Sequence, residues 1–274
     1  MTHSEDPSHD LDEPGRHRRR RQPVPATPPA GTIEIVRFEN RPTFLVRDGS
    51  FKVAASDPWA VALEAGRTAL EAGFPAVGRI ERGAPGSGSV VGTGILVSPD
   101  LLVTNRHVAA ELDLDVGARI DFRAEFDAPD GTVHPIAEIL RLAPPEGPDI
   151  ALLRLAAPAA HTAPLRFAEA PAQKGQPLVC IGFPGFQHRE KPDHAAHQQR
   201  LFRGIYDVKR LAPGEVLALD DSTLAHDCTN LAGSSGSALL DLFTGLVVGL
   251  DYGYLEGRNV AVPAAVVAAW VRGT

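Results

Sequence analysis

Three short segments of the chain carry residue types that together can break an acyl bond. A histidine, His107, follows the apolar stretch in LLVTNRHVAA (residues 101–110). An aspartate, Asp149, opens GPDIALLRL (residues 147–155), and a serine, Ser235, lies between glycines in CTNLAGSSGSALLD (residues 228–241). Alone, each has a common structural explanation, since histidines pack in cores, aspartates cap turns and small residues form turns. Their combination is what points to chemistry.

Amide hydrolysis requires the three kinds of group that these segments supply. A serine nucleophile must lose its proton as it attacks, and a base near neutrality must take that proton and pass it to the leaving amine. A carboxylate then fixes the tautomer of the imidazole. Backbone N–H groups must also face the developing oxyanion. The segment Gly233–Gly236 predicts both the nucleophile, Ser235, and an oxyanion hole made by the N–H groups of Gly233 and Ser235, because glycines permit a sharp turn.

The segments that must position these residues read as short β-strands. From Ala76 onward, apolar runs of strand length alternate with turn residues, which predicts an all-β fold of antiparallel barrels. The predicted strands are AVGRIE, SVVGTGILV, LLVTN, RIDFRAEF, AEILRLA, DIALLRLA, PLVCIGF, RGIYDVKRL, VLALD, SALLD, LVVGLDYG and NVAVP. The final segment, PAAVVAAWVRG, predicts a short C-terminal helix.

Four regions follow from this pattern. Residues 1–30 combine charge with repeated prolines and predict a disordered tail. Residues 31–75 predict an appendage outside the main domain, with a strand pair (TIEIVRF and TFLVRDGSF) and a helix that Ser56 caps. Residues 76–160 predict the first barrel. Residues 161–274 predict the second barrel with the C-terminal helix, and the loop between Phe183 and Arg203 is expected to be solvated.

Composition narrows the partners and the cellular location. The chain of 274 residues has a net charge of −7, which gives no electrostatic reason to expect nucleic acid or an anionic membrane as a partner. Two cysteines cannot form a disulfide framework, and no apolar stretch follows the basic N-terminal cluster as in a secretory signal. We therefore expect a soluble, cytoplasmic protein. No pattern completes a metal site around His188, His194 and His197, so no cofactor is expected.

The three segments resemble those of trypsin-like serine peptidases of the chymotrypsin fold. TNRHVA, preceded by GTGILV, is similar to the histidine motif of the bacterial branch that includes V8-like and HtrA-like proteases; DIALL and GSSGSALLD are similar to its aspartate and serine motifs. The order His, Asp, Ser is the chymotrypsin order. The resemblance implies two six-stranded barrels with a triad in the cleft between them. It implies that His107 is the general base, Asp149 its orienting partner and Ser235 the nucleophile.

One residue departs from the pattern of many trypsin-like enzymes. Those enzymes carry an aspartate just before the nucleophile, and it pairs with an N-terminal ammonium that is freed by cleavage. Here that place is taken by Ser234, which cannot form a charge pair. We therefore expect a catalytic loop that is competent without cleavage or is ordered by an activating protein partner.

The substrate pocket is expected upstream of Ser235 and along the strand GLDYGY. Its candidate residues are Thr229, Asn230, Asp251, Tyr252 and Gly253. Glutamyl endopeptidases carry a histidine where Asp251 stands, so a preference for glutamate is not expected. Two alternatives remain for Asp251. It pairs with a basic substrate side chain at P1, the residue before the cleaved bond, or it turns outward or caps a backbone N–H.

The sequence therefore predicts a serine endopeptidase that acts on peptide or protein substrates through an acyl-enzyme. Two other functions stay open. The first is a catalytically idle domain used for binding or regulation, which the complete set of three residues disfavours. The second is an esterase of the same fold, because fold alone does not determine function.

Overall fold

The computed structural model describes Met1 and residues 41–83, 88–128, 133–189, 192–255 and 257–273. Apart from Met1, the predicted tail and the predicted strand TIEIVRF lie outside these residues. The first elements are strands β1 (Phe44–Arg47) and β2 (Ser50–Phe51) and helix α1 (Ala60–Gly73). The strands form a hairpin whose turn residues, Asp48 and Gly49, have φ of 49° and 69°. Positive φ at both places is what a two-residue hairpin turn requires.

Helix α1 begins later than the sequence predicts. Its N-cap is Trp59 rather than Ser56, and no side chain caps it. Asp57 Oδ1 instead accepts the Trp59 N–H at 2.8 Å in the turn before the helix. The helix contributes fully buried Leu63 and Leu70 to the main core. The appendage is therefore integrated with the core and does not merely cover it.

The first barrel is closed by six antiparallel strands. They are β3 (Val77–Arg82), β4 (Ser89–Ser98), β5 (Leu101–Thr104), β6 (Ala118–Asp121), β7 (Val133–Leu142) and β8 (Ala151–Leu155). The spatial order is β3-β4-β5-β8-β7-β6, and β6 pairs back onto β3. A single helical turn, α2 (Arg106–Ala109), follows β5.

The second barrel is closed by six further antiparallel strands and extended by β1. Its strands are β9 (Pro177–Gly182), β10 (Arg210–Leu219), β11 (Leu224–His226), β12 (Ala238–Asp241), β13 (Val247–Leu255) and β14 (Arg258–Pro263). The order is β11-β14-β13-β12-β9-β10, and β10 closes the barrel onto β11. Helix α3 (Pro192–Phe202) lies between β9 and β10, and α4 (Ala264–Arg272) ends the described chain. The prediction of two six-stranded antiparallel barrels is confirmed.

Two predictions in the second barrel were wrong. The loop expected between Phe183 and Arg203 contains α3, which buries Gln198 and Phe202 one turn apart. The segments RGIYDVKRL and VLALD were expected as two strands, but one strand, β10, runs from Arg210 through Pro213 to Leu219. Proline fits there because β1 pairs with β10 at its start and β11 pairs with it at its end, so that among the described strands only β9 pairs with residues 212–215.

The core runs through both barrels because several strands are buried on both faces. In β9, Leu178 and Cys180 belong to the interior of the second barrel, while Val179 and Ile181 belong to the larger core shared with the first barrel and α1. This explains why PLVCIG reads as a continuous apolar run instead of an alternating one. None of the helices within the described residues is long and apolar enough to cross a membrane.

A fully buried lysine joins the two barrels. Lys209 Nζ donates to Phe74 O and Phe122 O, each at 2.7 Å, and lies 3.4 Å from Glu125 Oε1. Burial lowers the pKa of Lys209 to about 8, against the attraction of Glu125. Its ammonium therefore makes charge-assisted bonds between the second barrel and the first, although burial removes the water that would stabilise its charge.

Candidate active site

The position of His107 is set by the single turn of helix that follows β5. Asn105 is still extended (φ −76°, ψ 151°), and its carbonyl accepts the Ala109 N–H at 3.0 Å as the helix begins. The Asn105 side chain donates to Asp149 O at 2.9 Å, which ties the turn to the segment that leads into β8. The chain thus changes direction at the end of a buried strand, and His107 is the second residue after that change.

His107 and Asp149 are in direct contact through two bonds. His107 Nδ1 lies 2.6 Å from Asp149 Oδ2, and the His107 backbone N–H donates to Asp149 Oδ1 at 3.1 Å. The carboxylate is almost buried, with 7% of its side chain exposed, whereas 29% of the imidazole is exposed. A carboxylate accepts from Nδ1–H, so the contact selects the tautomer in which Nε2 carries the lone pair. The ring is therefore oriented as a base whose free nitrogen can accept a proton.

Ser235 is held in a loop that only glycines can form at two places. Gly233 and Gly236 have φ of +88° and +86°. A Cβ on Gly233 would come within 2.7 Å of Phe183 O, and a Cβ on Gly236 would overlap Thr93 O. Backbone sterics and close packing both exclude a side chain there. The predicted turn at Gly233–Gly236 is thus present, with Ser235 only 7% exposed.

Strand β4 brings the serine loop next to the histidine turn. Thr93 N donates to Ser235 O at 2.8 Å, and Thr93 Oγ1 donates to Gly233 O at 3.0 Å. A Cβ on the preceding Gly92 would lie 2.7 Å from Val108, the neighbour of His107, and 3.0 Å from Ser235 O. Gly92 therefore lies where the α2 turn and the serine loop converge. The structure brings all three predicted residues to one junction between the barrels.

The serine loop leaves two backbone donors available. Within it, Ser234 N donates to Leu231 O at 3.0 Å, and Ser237 N donates to Ser234 O at 2.8 Å. The N–H groups of Gly233 and Ser235 donate to no acceptor in the part of the chain that the structure describes. These are the two groups that the sequence assigns to an oxyanion hole. Ser234, the residue before Ser235, is buried, and its hydroxyl accepts the Leu231 N–H at 3.4 Å.

The predicted pocket residue Asp251 is enclosed by a buried polar network. Its side chain accepts from His226 Nε2 at 2.9 Å and from Asn230 Nδ2 at 3.0 Å, and only 1% of the residue is exposed. The Cys228 N–H donates to His226 Nδ1 at 3.3 Å, which leaves the proton of a neutral imidazole on Nε2. Burial raises the pKa of Asp251 despite these bonds. The alternative in which Asp251 turns outward or caps a backbone N–H is wrong.

The other pocket candidates line the neighbouring strands and the segment before the serine loop. Thr229 Oγ1 donates to Arg41 O at 2.6 Å, so its hydroxyl contacts the start of the described N-terminal region. Tyr252 and Gly253 follow Asp251 on β13, and Gly253 pairs with Val260. Burial raises the pKa of Tyr252. A Cβ on Gly253 would have no heavy atom within 4 Å, so this position faces open space.

Sequence reasoning missed two residues beside the pocket, His226 and Asp227. His226 binds Asp251 as described above. Asp227 is 3% exposed and binds Arg41 Nη2 at 2.7 Å. It also accepts the Glu215 N–H at 2.7 Å, in the part of β10 that pairs with neither β1 nor β11. The one available signal was the adjacent His-Asp pair just before Cys228. Strand β11, which carries it, has only three residues and gives no periodicity to detect.

The remaining chemical candidates do not assemble into a site. Among the described residues, no group of three or more His, Cys, Asp or Glu side chains is arranged to hold a metal ion. His194 and His197 lie on α3. Cys180 and Cys228 are buried free thiols, and burial raises the pKa of both well above the ordinary value. Thiols of this kind are unreactive, since the thiolate is the nucleophile.

Comparisons with known proteins agree with this geometry. A serine endoprotease from Yersinia pestis has a TM-score of 0.57 at 17% identity, covering 81% of this chain and 67% of that chain. The Rv3671c protease in its inactive form has a TM-score of 0.55 at 22% identity, with 81% and 98% covered. An inactive serine-to-alanine mutant of Rv3671c from M. tuberculosis H37Rv has a TM-score of 0.54 at 22% identity, with 81% and 96% covered. At these identities the structures share the fold.

No curated protein matches the chain. The family model described as the trypsin-like peptidase domain matches residues 92–250, which hold His107, Asp149 and Ser235. This match spans more than half of the chain. The protein therefore belongs to the family of trypsin-like peptidase domains.

Proposed function

We propose that the protein is a serine endopeptidase that cleaves peptide bonds through an acyl-enzyme. The observation that carries the proposal is the 2.6 Å contact between His107 Nδ1 and Asp149 Oδ2, together with the bond from the His107 N–H to the same carboxylate. Two bonds from one residue to a nearly buried carboxylate orient the ring. A histidine that served only for packing would not require two bonds to fix its ring next to a serine between glycines.

In the proposed reaction, Ser235 Oγ attacks the carbonyl carbon of the substrate, and His107 Nε2 takes the hydroxyl proton. Asp149 stabilises the imidazolium that forms and stays ionised. The N–H groups of Gly233 and Ser235 bind the oxygen that becomes negative, because they donate to no acceptor among the described residues. The imidazolium then gives its proton to the leaving amine. Water, activated by the same imidazole, hydrolyses the acyl-enzyme and restores the serine.

We further propose that the pocket selects an uncharged P1 side chain. Asp251 is the carboxylate expected to attract arginine or lysine, but it already accepts bonds from His226 and Asn230. A basic P1 side chain would have to displace one of these donors in a site that is shut off from water, which costs the bond it replaces. The same carboxylate disfavours an acidic P1 group, since like charges repel.

A fluorophosphonate probe tests the catalytic proposal directly. Wild-type protein should be labelled covalently, and Ser235→Ala should not. Ser234→Ala is the matched control, because it removes the neighbouring hydroxyl, which accepts the long 3.4 Å bond from Leu231 N. It should retain labelling. A wild-type protein that stays unlabelled would favour the idle binding domain and reject the proposal.

A peptide library read by mass spectrometry tests the substrate class and the P1 preference. Cleavage inside the peptides that is absent in Ser235→Ala supports an endopeptidase. Probe labelling with hydrolysis of simple esters and no peptide cleavage would support the esterase alternative. A strong preference for arginine or lysine at P1 would reject the uncharged pocket while leaving the peptidase intact.

A further inference from the structure

A groove of about 830 Å³ lies between the β1–β2 hairpin and the C-terminal end of α3. Its lining is rich in basic side chains: Arg47, Lys52, Arg200, Arg203 and Arg210, against the acidic Asp48 and Asp57. Arg47 is already paired with Asp127 at 3.2 Å. The other four have no carboxylate within ion-pair distance anywhere in the described ranges. The groove therefore carries an excess of positive charge that the carboxylates of the described residues do not neutralise.

Arg210 is the unusual member of this set because it is buried. Only 4% of the residue is exposed. Its Nη2 donates to Phe202 O at 2.9 Å and to Ile205 O at 3.1 Å, whereas Nε has no hydrogen-bond partner within the described ranges. Nη1 donates to no acceptor among the residues that the structure describes. Burial lowers the pKa of Arg210 to about 10.

A role as a cap for α3 accounts for only part of this arrangement. The two carbonyls satisfy Nη2 and complement the negative end of the helix dipole. They do not supply the negative charge that a buried guanidinium requires, and they leave its other nitrogens without acceptors. A bound oxyanion would supply both, because carboxylate and phosphate oxygens match the planar donors of arginine.

We propose that this groove binds a small organic anion that carries a carboxylate or phosphate group on an apolar body. Arg210 neutralises the anionic group, and the exposed Lys52 and Arg203 add long-range attraction at the rim. The apolar body packs on the remaining walls, which include Phe44 and Ile205. The groove is far larger than a bare phosphate ion, so we expect the apolar part to contribute to binding.

The groove also touches the support of the serine loop. The Arg210 guanidinium carbon lies 5.0 Å from the centre of the Phe202 ring, and Phe202 stacks on Tyr206 with ring centres 5.7 Å apart. Phe202 packs in one small cluster with Leu231. Leu231 in turn exchanges hydrogen bonds with Ser234, next to Ser235. An anion bound to Arg210 is thus connected through Phe202 to Leu231, the residue that supports the serine loop.

Calorimetry and thermal unfolding of the full chain test the site. The probes are phenyl phosphate, phenylacetate and the neutral benzyl alcohol. At least one anionic probe should bind and raise Tm, more weakly at higher salt, and benzyl alcohol should not. The anion that binds better identifies the source as phosphate or carboxylate. Failure of both anions to bind at millimolar concentration, or equal binding of benzyl alcohol, overturns the proposal.

Variants locate the binding. Arg210→Met should lower the affinity for the anion by tenfold or more, because it removes the charge-assisted bonds. Arg203→Gln changes an exposed residue at the rim and should lower the affinity severalfold. This variant keeps the test valid if Arg210→Met does not fold. Arg154→Gln is the control, since Arg154 lies on β8 and pairs with Glu138 at 2.9 Å. Unchanged affinity in Arg203→Gln, unchanged affinity in a folded Arg210→Met, or an equal loss in Arg154→Gln refutes a site in this groove.

Discussion

Replacing Gly236 by alanine tests whether the serine loop depends on close contact with the first barrel. Gly236 has φ of +86°, and a Cβ on it would overlap Thr93 O and lie 2.7 Å from Thr104 Oγ1. Thr93 O is a backbone atom of β4 and already accepts the Thr104 hydroxyl at 2.6 Å. Because the clashing atom belongs to the backbone of β4, it cannot move aside as the end of a flexible side chain could. The loop itself must therefore move away from β4.

The size of the effect follows from two contributions. Alanine at positive φ costs about 1–2 kcal/mol, and the smaller entropy of the unfolded chain returns about 0.4–1 kcal/mol, which leaves a net loss of about 1 kcal/mol. Moving the loop breaks the bonds from Thr93 N to Ser235 O and from Thr93 Oγ1 to Gly233 O. At about 1 kcal/mol for each bond, these add about 2 kcal/mol. We expect Gly236→Ala to lose about 3 kcal/mol of unfolding free energy.

Gly175→Ala is the matched control for this experiment. Gly175 has φ of +79°, but a Cβ there would have nothing within 4 Å, so only the backbone strain applies. Its expected loss is about 1 kcal/mol. Urea unfolding with linear extrapolation measures both variants, and probe labelling should fall sharply in Gly236→Ala alone. Equal losses of stability in the two variants, or full labelling of Gly236→Ala, would refute the dependence on close contact.

Two further predictions follow from the geometry. Asp149→Asn removes the acceptor that holds His107 in the productive tautomer, so kcat on a cleaved peptide should fall about 10⁴-fold with little change in KM; a loss below tenfold would contradict the assigned role. Burial lowers the pKa of Lys209 from its ordinary 10.5 to about 8, so between those pH values the unfolded chain binds more protons than the folded one, and stability rises with pH. Over that interval, wild type should gain about 3 kcal/mol relative to Lys209→Met in urea unfolding, and parallel pH profiles for the two proteins would contradict this account.

The barrels could be predicted from the sequence because most strands carry their own signal. Segments such as SVVGTGILV and DIALLRLA combine strand length, apolar content and flanking turn residues, and each became a strand. The local sequence pattern gave the wrong prediction where the neighbouring strands determine how far a strand extends. Pro213 and Gly214 look like a turn, yet β10 continues through them because, among the described strands, only β9 pairs with that stretch. The absence of a neighbouring strand is a property of the assembled sheet and cannot be read from a local pattern.

The same reasoning separates the parts of the site that could be predicted from those that could not. His107, Asp149 and Ser235 were predicted together, because three short segments supply in combination the groups that one reaction requires. The bond between His226 and Asp251 depends on register across three strands. His226 pairs with Asn259 and Asp251 with Ala261, and the two β14 residues are two places apart and share a face. The small Ala261 leaves room for the two side chains to meet across β14, which no spacing within either segment indicates.

The serine loop depends on both barrels at once, and this connects the fold to the proposed chemistry. On one side, Ser235 O accepts the Thr93 N–H of the first barrel at 2.8 Å. On the other, Gly236 N donates to Asp251 O at 2.8 Å, and Asp251 N donates to Ser237 O at 3.0 Å in the second barrel. His107 and Asp149 belong to the first barrel, so any shift between the barrels changes the distance from base to nucleophile. Lys209, just before β10, donates to Phe122 O just after β6, so its buried bond lies where it resists such a shift. We infer that this lysine keeps the barrels in one relative position, which an apolar contact would specify less sharply because it has no preferred direction.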